Sequence, residues 1–187
     1  MPVNDALLHN AFYGNYGVRL VAALGFAYLL GSIPVEAIAR WLFAGLDPRL
    51  GRAAVAFGSV IDVLKGFVAT AIVFHGGGQA VGLGAGLAAT LGHYYCAWRR
   101  FRGGERIDFE LGVVLALCPP AALVFLVFWV VAAVSSRSAA IGSVFASALL
   151  FLPLWYFAGA PAALFGILAG TALALRLRAD GQTLERV

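Results

Sequence analysis

Charged side chains are scarce in this sequence. Asp, Glu, Lys and Arg together make up 12% of the 187 residues, whereas hydrophobic residues make up 62%. A soluble globular domain carries roughly 25% charged residues, and a disordered chain is poor in apolar ones. With a mean hydropathy of +0.91, the composition excludes an ordinary soluble enzyme, a disordered protein and a nucleic-acid binder. It predicts a polytopic membrane protein of one domain.

Cysteine and histidine are also few. The two cysteines, Cys96 and Cys118, lie inside apolar segments, and the chain has neither a CxxC pair nor a His-rich tract. Buried cysteine usually packs as a small hydrophobic residue. The sequence therefore indicates no metal and no cofactor, and it gives no evidence of a disulfide.

Apolar runs long enough to cross a bilayer fill most of the chain. A spanning helix needs about 20 residues, and the candidate spans are 20–43, 53–75, 77–98, 111–134, 139–158 and 161–175. Continuous runs of this length favour helices over the alternating strands of a barrel. Pro119 and Pro120 remove two backbone donors, which predicts a kink or a break in the fourth run. The fold class is therefore an all-α polytopic membrane protein, with seven helices if that run splits and five if it does not.

Basic residues mark the predicted orientation. They cluster after the first span, after the third span and in the C-terminal tail, whereas the turn at 76–78 has no charge. The positive-inside rule places these clusters in the cytoplasm, with the N-terminus outside and the C-terminus cytoplasmic. We expect a short extramembrane arm over 1–17, a membrane domain over 18–178 and a cytoplasmic tail over 179–187.

Two ionisable residues interrupt the second span. An ionisable side chain inside a span costs about 2.5–3.5 kcal/mol on insertion scales, so it normally has a partner or a function. Asp62 and Lys65 are three residues apart, which places them on one helical face. They form an internal ion pair, or a polar face directed at an anionic substrate, and the two interpretations are compatible.

The third span ends at a histidine and is followed by the most basic segment of the chain. His93 has two interpretations: a hydrogen-bonded residue at the membrane interface, or a proton acceptor with an ordinary pKa near 6.5. The segment from Arg99 to Arg106 anchors the topology. Its two glycines also allow backbone N–H groups to approach an anion beside the arginines, as in phosphate sites.

Five short motifs occur in an order that resembles the PlsY family of bacterial membrane acyltransferases. They are AYLLGSIP at 27–34, DVLKG at 62–66, LGHY at 91–94, FRGG at 101–104 and LGV at 111–113. The resemblance implies transfer of an acyl group from acyl phosphate to the 1-hydroxyl of glycerol 3-phosphate, which gives lysophosphatidic acid for phospholipid biosynthesis. It also implies seven helices, a multi-pass protein of the bacterial plasma (inner) membrane and a site that faces the cytoplasm.

The resemblance assigns roles to particular residues. His93, Lys65 and Asp62 are the expected catalytic residues. Substrate phosphate is expected to contact Ser32, Arg49, Arg52, Arg102, Gly103, Gly104 and Arg106. The acyl donor would enter laterally from the lipid bilayer, and glycerol 3-phosphate or another small polar acceptor would enter from the cytoplasm.

Four segments depart from the family pattern, one of which is the family's A-T before the next helix, where this chain has Asp108-Phe109. The glycine- and asparagine-rich loop expected after Asp47-Pro48-Arg49 is missing, Glu105 replaces a lysine, and the C-terminal R-H-R-x-N reads R-L-R-A-D at 176–180. A phosphate needs several converging donors, so these changes predict weaker binding of glycerol 3-phosphate. Two alternatives stay open: a non-catalytic PlsY-like paralogue that acts as a membrane partner or regulator, and a small transporter that uses Asp62 and Lys65 as a midplane pair.

Overall fold

The computed structural model describes residues 5–44, 51–100 and 107–179. Within these ranges the chain forms eight α-helices, a single 3-10 turn and no strand, which confirms the all-helical prediction. The helices are α1 (Asp5–Gly31), α2 (Val35–Ala44), α3 (Gly51–Tyr94), α4 (Asp108–Leu117), α5 (Pro119–Ser136), α6 (Ala139–Leu149), α7 (Phe151–Ala158) and α8 (Ala160–Ala179), and the 3-10 turn is Ala97–Arg99.

Several of these helices have the length and hydropathy of membrane spans. In the described residues four stretches qualify, Val55–Arg99, Pro119–Ser136, Ala139–Ala158 and Ala160–Arg178, and α1 adds a shorter apolar stretch over Gly17–Gly31. Many large apolar side chains point outward from the bundle, among them Val131, Val134 and Leu123. Apolar exteriors of this kind suit lipid and not water.

The first candidate span, 20–43, is not one helix, so that prediction was wrong. Helix α1 ends at Gly31, and α2 begins at Val35 after Pro34. Proline lacks an N–H and disfavours helical backbone in the residue before it, which explains the break. Helix α1 already begins at Asp5, so most of the segment 1–17 continues into the same helix as the span.

Helix α3 reverses direction in its middle. Gly78 has φ 75° and ψ −175°, a backbone conformation that glycine adopts far more readily than other residues. Beyond it, the backbone of Gly82 packs against Phe74, which requires the two arms to fold back on each other. The arms correspond to the second and third predicted spans, 53–75 and 77–98.

The fourth run splits at the predicted prolines. Cys118 has extended backbone (φ −158°, ψ 90°) between α4 and α5, and Pro119 opens α5, where its missing N–H costs no helical hydrogen bond. Farther along the chain, Gly159 (φ 85°) separates α7 from α8. Gln79 Nε2 donates to the Ala158 carbonyl at 3.1 Å, so this turn lies at the same end of the bundle as the reversal in α3.

Close helix crossings define the opposite end of the bundle. A Cβ at Gly66 would overlap the Phe109 carbonyl of α4, and a Cβ at Gly112 would overlap the Val63 carbonyl of α3. Small residues at such crossings allow membrane helices to approach backbone to backbone. The crossings bring the polar face of α3 against the first turn of α4, where the candidate site lies.

Candidate active site

A narrow cavity opens where α1 and α2 meet the end of α3. Its polar lining comes from Ser32, Asp62, His93, Cys96 and Arg99. Three predicted site residues, Ser32, Asp62 and His93, are therefore brought together from segments far apart in sequence. The cavity has about 20 Å³ of space, which is room for little more than one water molecule. This cavity is the candidate site.

Asp62 and Lys65 form the ion pair that their spacing predicted. Lys65 Nζ lies 2.8 Å from Asp62 Oδ1, and the two side chains are 5% and 10% exposed. Lys65 Nζ also donates to the Ile33 carbonyl at 2.7 Å and lies 5.1 Å from the centre of the Phe109 ring. Lys65 thus stands behind the cavity wall, where it neutralises Asp62 and holds the α1–α2 junction against α3.

His93 presents one imidazole nitrogen, Nε2, that has no hydrogen-bonding partner among the described residues. The residue is 7% exposed, and its ring stacks on Phe109 with the centroids 4.7 Å apart and the planes within 5°. Its Nε2 is buried and has no hydrogen bond within the described part of the chain. Buried polar atoms are normally paired, so an unpaired nitrogen beside a cavity is suited to a ligand or to a proton.

Ser32 ties α1 to the end of α3. Its hydroxyl donates to the Tyr28 carbonyl at 2.9 Å, and its own carbonyl accepts from Cys96 Sγ at 2.8 Å. Tyr28 Oη in turn donates to the Tyr95 carbonyl at 2.9 Å. The hydroxyl oxygen of Ser32 keeps acceptor capacity toward the cavity, and these bonds fix its position relative to His93.

Sequence reasoning missed two residues that line this cavity and a third, Glu110, that follows the Phe109 whose ring stacks on His93. Arg99 was placed in the basic segment but not among the expected phosphate contacts, and Cys96 was assigned only to apolar packing, yet both line the cavity. Glu110 was overlooked because the fourth candidate span begins one residue later, at Leu111. The available signal was a carboxylate between Phe109 and Leu111, at the entrance of a span where an isolated charge is costly.

Most of the predicted phosphate contacts lie outside the described residues. This holds for Arg49, Arg102, Gly103, Gly104 and Arg106. Arg52 belongs to the first turn of α3, but its side chain also lies outside the described part. Their roles stay predictions. In the three described ranges, no group of three His, Cys, Asp or Glu side chains is placed to hold a metal ion.

An apolar groove adjoins the polar cavity. It has a volume of about 450 Å³ and is lined by Phe26, Leu29, Leu30, Ile33, Pro34 and Trp98. Ile33 and Pro34 also line the polar cavity, so the two spaces meet at the α1–α2 junction. The fold and the site thus define a helical integral membrane protein with a buried imidazole and an ion pair beside a groove suited to an acyl chain.

The family follows from comparison with known proteins. The family model for glycerol-3-phosphate acyltransferase matches residues 49–186. The chain belongs to this family, which confirms the resemblance drawn from the motifs.

Individual relatives agree. A glycerol-3-phosphate acyltransferase of Bradyrhizobium diazoefficiens is 34% identical over 165 residues, which cover 80% of this chain and 83% of that protein. Two crystal structures of PlsY, an integral membrane glycerol 3-phosphate acyltransferase, are also similar. The lysophosphatidic acid form has a TM-score of 0.79 at 27% identity, and the glycerol 3-phosphate form 0.78 at 28%; each match covers 90% of this chain and 92% of the other.

The relatives bear on the alternatives raised by the sequence. The relatives and structures that match are acyltransferases. Neither the non-catalytic paralogue nor the small transporter receives support, and the doubt raised by the altered phosphate motifs receives none.

Proposed function

We propose that the chain transfers an acyl group from acyl phosphate to the 1-hydroxyl of glycerol 3-phosphate in a bacterial inner membrane. The observation that carries the proposal is the junction at Ile33 and Pro34, where a polar cavity meets an apolar groove. The reaction needs this combination, because its acceptor is small and anionic whereas its donor carries an acyl chain. The crystallised PlsY relative in its glycerol 3-phosphate form supports the choice of acceptor.

The reaction can be written with the residues that surround the cavity. The acceptor hydroxyl oxygen attacks the carbonyl carbon of acyl phosphate, so that an ester bond forms. The bond between that carbon and the phosphate oxygen breaks, and inorganic phosphate leaves with the electron pair. His93 Nε2 accepts the hydroxyl proton, which suits a buried imidazole nitrogen with no hydrogen-bonding partner in the described chain. Arg99 offers positive charge to the phosphates, while Lys65 neutralises Asp62 and so prevents repulsion of the anionic substrates.

The distribution of arginines supports an orientation in which the cavity faces the cytoplasm. Arg19 lines a space with Gly76 and Gly77 at the end of the bundle where α3 reverses. At the cavity end lie Arg99 and Arg100, and the hydrogen bond from Tyr95 Oη to the Ala172 carbonyl brings the last turns of α8, with Arg176 and Arg178, to the same end. The positive-inside rule then places the cavity end in the cytoplasm and the start of α1 outside.

Purified protein in lipid nanodiscs tests the proposal directly. With palmitoyl phosphate and glycerol 3-phosphate, we expect equal amounts of lysophosphatidic acid and inorganic phosphate. Replacement of glycerol 3-phosphate by glycerol separates recognition of the phosphate from recognition of the hydroxyl, and omission of the acceptor measures hydrolysis of the donor. Folded protein that makes no lysophosphatidic acid would contradict the proposal, and ester formed equally well from glycerol would contradict the assigned acceptor.

Cys96 provides a second prediction, because its thiol lines the cavity while Cys118 lies at the α4–α5 break. Both cysteines are free and buried, but of the two only Cys96 lines the cavity, so we expect a small membrane-permeable reagent such as N-ethylmaleimide to modify Cys96 from the mouth of the cavity. We expect alkylation to stop acyl transfer and saturating glycerol 3-phosphate to slow it severalfold. Replacement of Cys96 by alanine should give resistance to the reagent, and the matched Cys118→Ala variant should stay sensitive. Equal sensitivity of both variants would place the critical thiol elsewhere.

A further inference from the structure

The first turn of α4 holds the end of α3 by two neighbouring contacts. The Phe109 ring stacks on His93. The next residue, Glu110, accepts a hydrogen bond on Oε2 from the Tyr94 hydroxyl at 3.0 Å. Phe109 and Glu110 of α4 thus contact His93 and Tyr94, the last two residues of α3.

Burial of the Glu110 side chain at this position is energetically costly. The side chain is completely buried, and a carboxyl group inside a membrane protein normally has a function or a partner because its burial is costly. Its Oε2 also accepts a hydrogen bond from the Ser147 hydroxyl of α6, whereas Oε1 has no partner in the described ranges. An apolar side chain would pack here at less cost, so the hydrogen bonds that the carboxyl group accepts from Tyr94 and Ser147 point to a role.

We propose that Glu110 is a positioning residue for acyl transfer, which acts through Tyr94 and Phe109 to fix the imidazole of His93 beside the cavity. The inference rests on the proposed function and deepens it. The stacked Phe109 ring fixes the plane of the imidazole, and the Tyr94 hydrogen bond prevents the last turn of α3 from rotating. With both contacts in place, Nε2 keeps no partner in the described chain and stays available to the acceptor hydroxyl. Displacement of a reacting group by even 1 Å can cost a hundredfold in rate.

Ser147 of α6 donates the second hydrogen bond to Glu110 Oε2. A Cβ at Gly170 of α8 would meet the Ser147 carbonyl at 2.6 Å, so α8 packs directly against the residue that binds Glu110. Loss of the Ser147 hydroxyl leaves the bond between Glu110 and Tyr94 intact. Ser147→Ala is therefore the matched control, because it removes a hydrogen bond from the same carboxyl oxygen without releasing α3.

The experiment compares Glu110→Ala, Glu110→Gln, Tyr94→Phe and Ser147→Ala in the purified protein. We expect kcat to fall about tenfold or more in Glu110→Ala and Tyr94→Phe, with the KM for glycerol 3-phosphate unchanged. Glu110→Gln keeps the volume and an oxygen acceptor for Tyr94, so it should restore most of kcat. Ser147→Ala should keep wild-type kcat even if its thermal stability falls.

A readout independent of turnover separates this inference from the proposed function. The rate at which diethyl pyrocarbonate modifies His93, measured by mass spectrometry, should change in Glu110→Ala and Tyr94→Phe and stay unchanged in Ser147→Ala. If wild-type protein makes no lysophosphatidic acid, the proposed function fails. If wild-type protein is active but kcat and the His93 modification rate are unchanged in Tyr94→Phe and Glu110→Ala, the positioning role fails. A fall in activity that matches only the loss of folded protein in all four variants would overturn it equally.

Discussion

Replacement of His93 by glutamine lowers kcat for acyl transfer about 10²- to 10⁴-fold, the range contributed by a general base. Glutamine keeps a polar side chain of similar reach but cannot accept a proton near neutral pH. Glutamine is similar in size to histidine, so it fills most of the space that the imidazole occupies against the Phe109 ring. The fold should therefore persist. Rates measured with palmitoyl phosphate and saturating glycerol 3-phosphate report this loss.

His75 supplies the matched control for this substitution. It lies in the first arm of α3, beside Phe74 and close to the reversal at Gly78, at the end of the bundle away from the cavity. His75→Gln should therefore leave kcat and KM at wild-type values. A fall in kcat of less than about threefold in His93→Gln would show that the proton passes to another acceptor, such as the phosphate of the donor itself.

The elements predicted well from sequence are those set by local chemistry. The apolar runs became helices, and Pro119 broke the fourth run where its missing N–H dictated. The i, i+3 spacing of Asp62 and Lys65 became a real ion pair, because helical geometry alone places the two residues together. Pro34 causes the break before α2 in the same way. It was overlooked because apolar residues predominate on both sides of that proline.

The site depended on tertiary packing that a sequence does not reveal. Ser32 and Asp62 are thirty residues apart, and they share a cavity because α1 and α3 approach at Gly31 and Gly92, where a Cβ would overlap the opposing backbone. The motif order supplied His93 and Ser32 by resemblance. It did not supply Arg99 or Glu110, whose places follow only from how the end of α3 meets α1 and α4.

The reshaped site suggests how phosphate recognition is retained in a chain that lacks part of the family motif. Arg99 reaches the cavity from the 3-10 turn, and its charge is not cancelled there because Lys65 already neutralises Asp62. A guanidinium can bind phosphate oxygens in a bidentate manner, which a single ammonium cannot. We therefore expect Arg99 to compensate in part for the lysine that Glu105 replaces.

The ion pair carries the other large expected effect. Lys65→Met removes the Lys65 ammonium from its pair with the buried Asp62 carboxylate, and breaking a buried pair in this way costs about 3–5 kcal/mol. The substitution also removes the hydrogen bond from Nζ to the Ile33 carbonyl, which holds the junction between the cavity and the groove. We expect a loss of this size in the free energy of unfolding, measured by titration with sodium dodecyl sulfate in mixed micelles, together with loss of acyl transfer.

A double substitution separates the two consequences of that change. Asp62→Asn combined with Lys65→Met removes both charges, so most of the lost stability should return, as it does when buried pairs are replaced by neutral residues. Activity should stay at least about tenfold below wild type, since the cavity has lost Asp62 and its backbone junction is no longer held by Lys65. Thr70→Val on the same helix is the control, because the Thr70 hydroxyl is buried without a partner in the described chain and its loss should cost no stability. Wild-type activity in the double variant would reduce the pair to a structural role, because the site would then work without either charge.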